Sequence, residues 1–225
     1  MKRIELDGIP IEIEKKKMKS LRMTVKPPKG VVHISAPHFV TYEEIRSFAA
    51  ARMDWIRQQR ASCLAAVPQY TDGDVLPLFG DEYRIKTISK NRPLSVKENT
   101  LFLPDDPARE KREQLVYAWY KVELAKRIPA ILALWQPVMG VEASGGWTIR
   151  NMKSRWGSCN VVKRRVCFNL QLAKKPENCL EYVAVHELAH LLVPDHSRAF
   201  YECMSQFLPD WKQRKLILEG KHRSS

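Results

Sequence analysis

The segment HELAH, residues 186–190, limits this chain more than any other feature, because two histidines four residues apart meet at one point only on a helix. Positions i and i+4 of an α-helix lie about 40° apart in azimuth and one turn apart along the axis, so His186 and His190 can converge on one ion. Glu187, beside the first histidine, reaches the same neighbourhood without ligating. Leu180, Val183, Ala184, Leu188 and Leu191 supply an apolar stripe on which such a helix would pack. Pro176 and Glu177 suit its first turn. Val193 before Pro194 marks its expected end, since a residue preceding proline is pushed out of the α region.

HExxH arises by chance, and His196 supplies the corroboration. It lies beyond Pro194, where the chain has left the helix and can fold back to offer a third nitrogen, and three of the six histidines crowd into 186–196. A lone histidine is usually an ordinary core or surface residue. Three nitrogens with a fourth position left open are the donor set of a catalytic zinc ion, and all-nitrogen ligation disfavours magnesium and calcium. Nickel, cobalt and iron remain compatible. The reading is one Zn2+ held by His186, His190 and His196, polarising a carbonyl and acidifying water, with Glu187 as general base. It makes the chain a zinc-dependent metallohydrolase, a metallopeptidase that cleaves peptide bonds in a protein or peptide substrate with a zinc-activated water. His33, His38 and His222 lie outside this pattern and are assigned no role.

With 225 residues, 44% of them hydrophobic, the chain can bury a sizeable core. No apolar run approaches the roughly 20 residues that span a bilayer, so no membrane partner is expected. The opening MKRIELDGIPIEIEKKK has no apolar stretch of a secretory signal, which points to the cytoplasm. Five irregularly spaced cysteines without a CxxC pair fit free structural thiols, with metal binding through Cys159 or Cys167 as the alternative. The net charge of +13 is concentrated at 15–19, 150–155, 163–165 and 212–215. It suits a solvated surface, or an anionic partner such as DNA or a nucleotide.

The organisation reads as α+β. Residues 1–105 form a strand-rich half with one helix, and 106–225 form the half that carries HELAH. Asp7-Gly8 is the two-residue turn of a tight hairpin, and Pro10 places its strand at a sheet edge. Alternating residues predict strands on either side of a PPKG turn at 27–30. Thr41 and Glu44 fit a capping box, with Ile45, Phe48, Ala49, Trp55 and Ile56 following at helical spacing. Strands continue from 75 to 103, punctuated by Asp72-Gly73 and Gly80-Asp81. Asp106 and Pro107 suit the cap and first position of a long helix that Pro129 should break or kink. Strands return after Gly145-Gly146, one of them carrying Val166, Phe168, Leu170 and Leu172, with the basic VVKRR segment near a turn. Ser197 can cap the next helix, and Gly220 suits the end of the last. No internal repeat is evident.

The segments RNMKSRWGSCN, VCFNLQLAKKP and LEYVAVHELAHLLVPDHSRAF resemble the YgjP-like metallopeptidase family, related to the SprT and WLM-type zinc proteases. The Trp55-Ile56 helix and the LPLFGDEYRI segment fit the family's amino-terminal part. The resemblance implies a zincin-like catalytic half with an edge strand over the active-site helix. It also places Arg155, Trp156, Gly157 and Ser158 near the substrate cleft. Arg155 and Lys153 become candidates to stabilise a developing oxyanion. SprT and WLM-type proteases act on proteins attached to DNA, which makes the basic surface relevant by analogy. The His190-to-His196 spacing also matches metzincins, but LLVPD has no glycine in the turn and Met204 lies on a helical pattern rather than a Met-turn.

Two other functions compete. A metal-dependent nucleoside triphosphate pyrophosphohydrolase would use the surrounding cations, although no Gly-rich phosphate loop or carboxylate-rich magnesium site is present. A non-catalytic, zinc-braced nucleic-acid-binding module would need a fourth ligand from Cys159, Cys203 or a distant acid.

Overall fold

The structure, a computed structural model, describes residues 2–26, 30–65 and 67–220. The PPKG turn (Gly30 apart) and His222 lie outside these. The architecture is mixed α+β, strand-rich at first and helical later, and it divides into two compact units, Met1–Gln69 and Tyr70–Ser225. No helix among the described residues is long and apolar enough to cross a membrane.

In the first unit, β1 (Lys2–Leu6) and β2 (Ile9–Lys15) form the expected hairpin, with Asp7 and Gly8 both at positive φ. With β3 (Arg22–Lys26) and β4 (Val31–Ala36) they make a sheet of order β1-β2-β4-β3. Pro10 is therefore not on an edge strand. It faces Glu5 on one side, and the parallel ladder to β4 begins only at Ile11, so no neighbour on that side needs the missing N–H. The single helix expected here is two, α1 (Tyr42–Ala50) and α2 (Met53–Ala65), separated by a turn at 51–52. The capping box is present: the Thr41 hydroxyl accepts from the Glu44 N–H, and the Glu44 carboxylate accepts from the Thr41 N–H at 2.7 Å. Ile45, Ala49 and Ile56 are buried against Ile11, Ile13, Val32 and Ile34, at about 1.5–3 kcal/mol for each large aliphatic chain. Trp55, assigned to that stripe from its spacing, points outward and is exposed.

The second unit begins with β5 (Val75–Leu78), β6 (Asp81–Ile88), β7 (Ser95–Lys97) and β8 (Thr100–Pro104), in the order β5-β6-β8-β7. The boundary expected near residue 105 thus falls between Gln69 and Tyr70 instead. Leu76, Leu78, Ile85, Leu101 and Leu103 share one core with the long helix that follows, and the Tyr120 hydroxyl donates to the Pro77 carbonyl at 2.9 Å. The segment at 105–107 is a helix lead-in rather than a domain boundary. The Asp106 carboxylate accepts from the Ala108 N–H, and α3 (Arg109–Met139) starts just beyond it.

α3 runs through Pro129 and Pro137, so the expected break is absent. Proline removes one hydrogen bond, but burial of Leu124, Ile128 and Leu132 on either side of Pro129 holds the helix to the core. β9 (Trp147–Arg150), β10 (Gly157–Asn160) and β11 (Arg165–Asn169) form a sheet of order β10-β11-β9, with β10 antiparallel and β9 parallel to β11. Leu170 and Leu172 leave β11 for a 3-10 turn, Leu170–Lys174, and stay buried there. α4 (Glu177–Ala189), α5 (Arg198–Phe207) and α6 (Trp211–Leu218) complete the unit, and Gly220 follows α6 at positive φ.

Candidate metal centre

α4 is buried around most of its circumference rather than along one stripe, since Cys179, Leu180, Tyr182, Val183, Ala184, Val185 and Leu188 are all in the core. Such a helix gives its side chains fixed positions. It carries His186 in its last turn and ends at Ala189, with His190 as its cap, earlier than Pro194 alone suggests. The N–H groups of Leu192 and Val193 both donate to the Ala189 carbonyl, which closes the helix before the proline. The chain then bends through 194–196. The Asp195 carboxylate accepts from the Ser197 N–H, and the Ser197 hydroxyl makes no capping bond of its own.

This bend brings His196 back over α4. His196 Nε2 lies 3.1 Å from His186 Nε2, and one ligand atom from each of His186, His190 and His196 falls within 4.8 Å of the others. Two nitrogens bound tetrahedrally to one zinc ion at about 2.0–2.1 Å stand about 3.3 Å apart, so the trio fits a metal. The carbonyl of Val193 faces His190 Nδ1 at 3.4 Å, which turns the ring's other nitrogen toward its partners. Burial, then the neighbouring His190 and His196, push the His186 imidazole down to about 3. Burial and His196 lower that of His190. Neutral rings are the form that binds a cation. Among the described residues neither Cys159 nor Cys203 nor any acid joins this group, so the fourth protein ligand of a purely structural site is missing from it.

Phe200 of α5 lies under all three rings, at centroid distances of 4.9, 4.7 and 4.8 Å from His186, His190 and His196, and is fully buried. Sequence spacing did not single it out.

Glu187 is 4% exposed, and burial pushes its carboxyl up to about 8 against the opposing charge of Arg155. Gly157 makes room for it: a Cβ at residue 157 would stand 2.4 Å from Glu187 Oε1 and 2.8 Å from its Cγ. Glu187 and the three histidines line a cleft of about 700 Å³, together with Arg155, Trp156, Gly157 and Ser158. Of the expected substrate-side residues, Lys153 alone is not on the cleft wall. Tyr182, Tyr201 and Lys215, which the sequence did not single out, also line the cleft. Cys159 is also on the wall; burial, then Glu187, push its thiol up to about 11, away from a reactive thiolate.

The segment 151–156 is held in place by one buried side chain. Asn169 Nδ2 donates to the carbonyls of Met152 at 2.9 Å and Arg155 at 2.7 Å, while its Oδ1 accepts from the N–H groups of Met152 and Gln171. The Asn169 backbone N–H donates to Trp156 O. Asn169 therefore positions Arg155 and Trp156 at the cleft, a role the sequence reading did not assign.

The YgjP-like family, metallopeptidase domain, matches residues 19–221. This chain belongs to the YgjP-like family. WGSC, the Asn169 strand and HELAH all fall within the matched residues, and the fold gathers them around one cleft. A YgjP-like metallopeptidase is expected to use a divalent metal, and the three-histidine group is where this chain can hold one. Among solved structures, the metallopeptidase zymogen abylysin of Pyrococcus abyssi aligns at a TM-score of 0.39 and 19% identity, over 42% of this chain and 93% of its own. No curated protein matches.

Proposed function

We propose that this YgjP-like chain is a zinc-dependent peptidase with a zincin-like site, in which His186, His190 and His196 hold the metal and Glu187 is the general base. One observation carries the reading: three imidazoles converge in a cleft with a single buried carboxylate beside them. When bound, zinc supplies Lewis acidity and makes water a better acid near neutral pH.

The rest is done by the chain. Glu187, whose burial raises its affinity for a proton, takes one from the attacking water and delivers it to the leaving nitrogen. Gly157 keeps the carboxylate's space clear. Arg155, set on the wall by Asn169, is the cation placed to steady the developing oxyanion. β10 is an edge strand. Because Asn169 N–H donates to Trp156 O, the alternation of an antiparallel ladder turns the backbone groups of Gly157 and Cys159 away from β11. An extended polypeptide would add to that edge as a further strand, alongside the metal centre. All five cysteines are free, which suits the cytoplasm.

The test is zinc-loaded full-length chain incubated with an unfolded protein and, separately, with nucleoside triphosphates. Glu187→Gln should lower peptide cleavage about 10²–10⁴-fold with zinc content unchanged. Glu187-dependent phosphate release without peptide cleavage would replace this reading with nucleotide hydrolysis.

A further inference from the structure

Residues 143–176 contain eight lysines and arginines and no aspartate or glutamate. The stretch spans the whole β9–β11 sheet. Elsewhere in the second unit many cations sit against carboxylates: Lys90 and Lys111 on Asp106, Arg127 on Glu123, Arg198 on Glu202, Arg214 on Glu181 and Asp210. On this sheet Arg150, Lys153, Arg155, Lys163, Arg164 and Arg165 form no ion pair among the described residues. Arg164 and Arg165 only anchor their Nε to the backbone carbonyls of Glu142 and Gly145.

The register sorts the faces. Val166 and Phe168 are fully buried on the face that carries Gly157, whose Cα abuts Glu187 of α4. The other face carries Thr148, Cys167 and Ser158 in one row across the strands, all half-buried, with exposed Arg150 and Arg165 two positions to either side along β9 and β11. Arg150, Lys153 and Arg155 gather at one end of the sheet, and Lys163, Arg164 and Arg165 at the other. Four residues of strand, about 13 Å, separate the two groups.

We propose that this outer face of the β9–β11 sheet binds the sugar-phosphate backbone of nucleic acid without regard to sequence. Its uncompensated cations are spread over a flat surface of small side chains, which suits several phosphates of one strand rather than a single anion. The row of Thr148, Cys167 and Ser158 carries no aromatic ring, so bases lying across it find nothing to stack on and sequence is not read. An acidic polypeptide fits less well, because tight polypeptide binding needs buried apolar anchors, and the row of Thr148, Cys167 and Ser158 offers none. The face meets the catalytic cleft at Arg155, so a nucleic-acid strand held here would lie beside the peptidase site. The inference goes beyond the peptidase reading and stands without it.

Full-length chain without added metal is titrated into fluorescent 20-nucleotide single strands and duplexes, reading anisotropy across a salt series. Binding to either should weaken with salt. Replacing the exposed Arg150, Lys153 and Lys163 by glutamine should reduce the slope of log K on log salt by about 2–3 and weaken binding at low salt about tenfold or more. A control with Lys86, Lys97 and Lys121 of the same unit replaced by glutamine removes equal charge and should leave the slope nearly unchanged. The proposal is overturned by no binding at low salt, by equal losses in the two triple variants, or by polyglutamate of matched charge competing as well as DNA.

Discussion

In both four-stranded sheets the first two strands form an antiparallel hairpin, the second runs parallel to the fourth, and the third pairs antiparallel with the fourth. The two differ in what covers them. Ile11, Ile13, Val32 and Ile34 of the first sheet are closed by the short helices α1 and α2 into a core of their own. Leu76, Leu78, Ile85, Leu101 and Leu103 of the second join α3, α4 and α5 in the core that supports the histidines. The same wiring thus serves a self-contained unit in one case and a metal centre in the other. Cooperativity follows the buried face rather than the strand order.

The strongest way to break this comparison is to put a carboxylate into each core. An uncompensated buried charge costs about 3–5 kcal/mol, a large part of a domain's stability. Leu103→Asp should therefore abolish zinc binding along with the second unit's melting transition. Ile34→Asp should remove the first unit's transition and leave zinc binding intact, measured by calorimetry and metal titration. If Ile34→Asp also abolished zinc binding, the two cores would be one. A smaller effect is expected from Gly157→Ala, whose Cβ must displace Glu187. Overpacking there should destabilise the second unit by about 1–3 kcal/mol, and peptide cleavage should fall further than that loss accounts for. The smallest is Thr41→Ala, which deletes the α1 cap. About 1 kcal/mol should be lost from the first unit alone, with zinc affinity unchanged.

The repeated wiring was not legible in the sequence, and the turns show why. Asp7-Gly8 carries the residues a tight hairpin favours. The equivalent turn after β5 has Phe79 at positive φ before Gly80, a position an aromatic side chain rarely takes. Phe79 is held by tertiary contacts: its N–H donates to the Ala173 carbonyl, and the Arg127 guanidinium covers its ring. Gly80 is legible as a turn, but no local signal separates Gln69 from Tyr70, so the strands of both sheets read as one amino-terminal half and the expected boundary lies some 35 residues late. At the site the position was reversed. His186, Glu187 and His190 are fixed by helical period, and His196 by the bend that Pro194 imposes, so local pattern was enough to find them. Tyr182, Tyr201 and Lys215 reach the cleft only because α4, α5 and α6 pack together, which no local spacing reveals. Lys153, named with Arg155 from the resemblance, stays off the cleft wall because 151–156 is an irregular segment shaped by Asn169.

That carboxamide has a further consequence. With its NH2 group and its oxygen both committed to backbone partners, the wall bearing Arg155 and Trp156 is already ordered before anything docks. Little freedom remains there for a visitor to quench, so affinity is not drained by stiffening a loop. The same stiffness makes the wall unforgiving, and whatever does not match its contour is refused rather than accommodated.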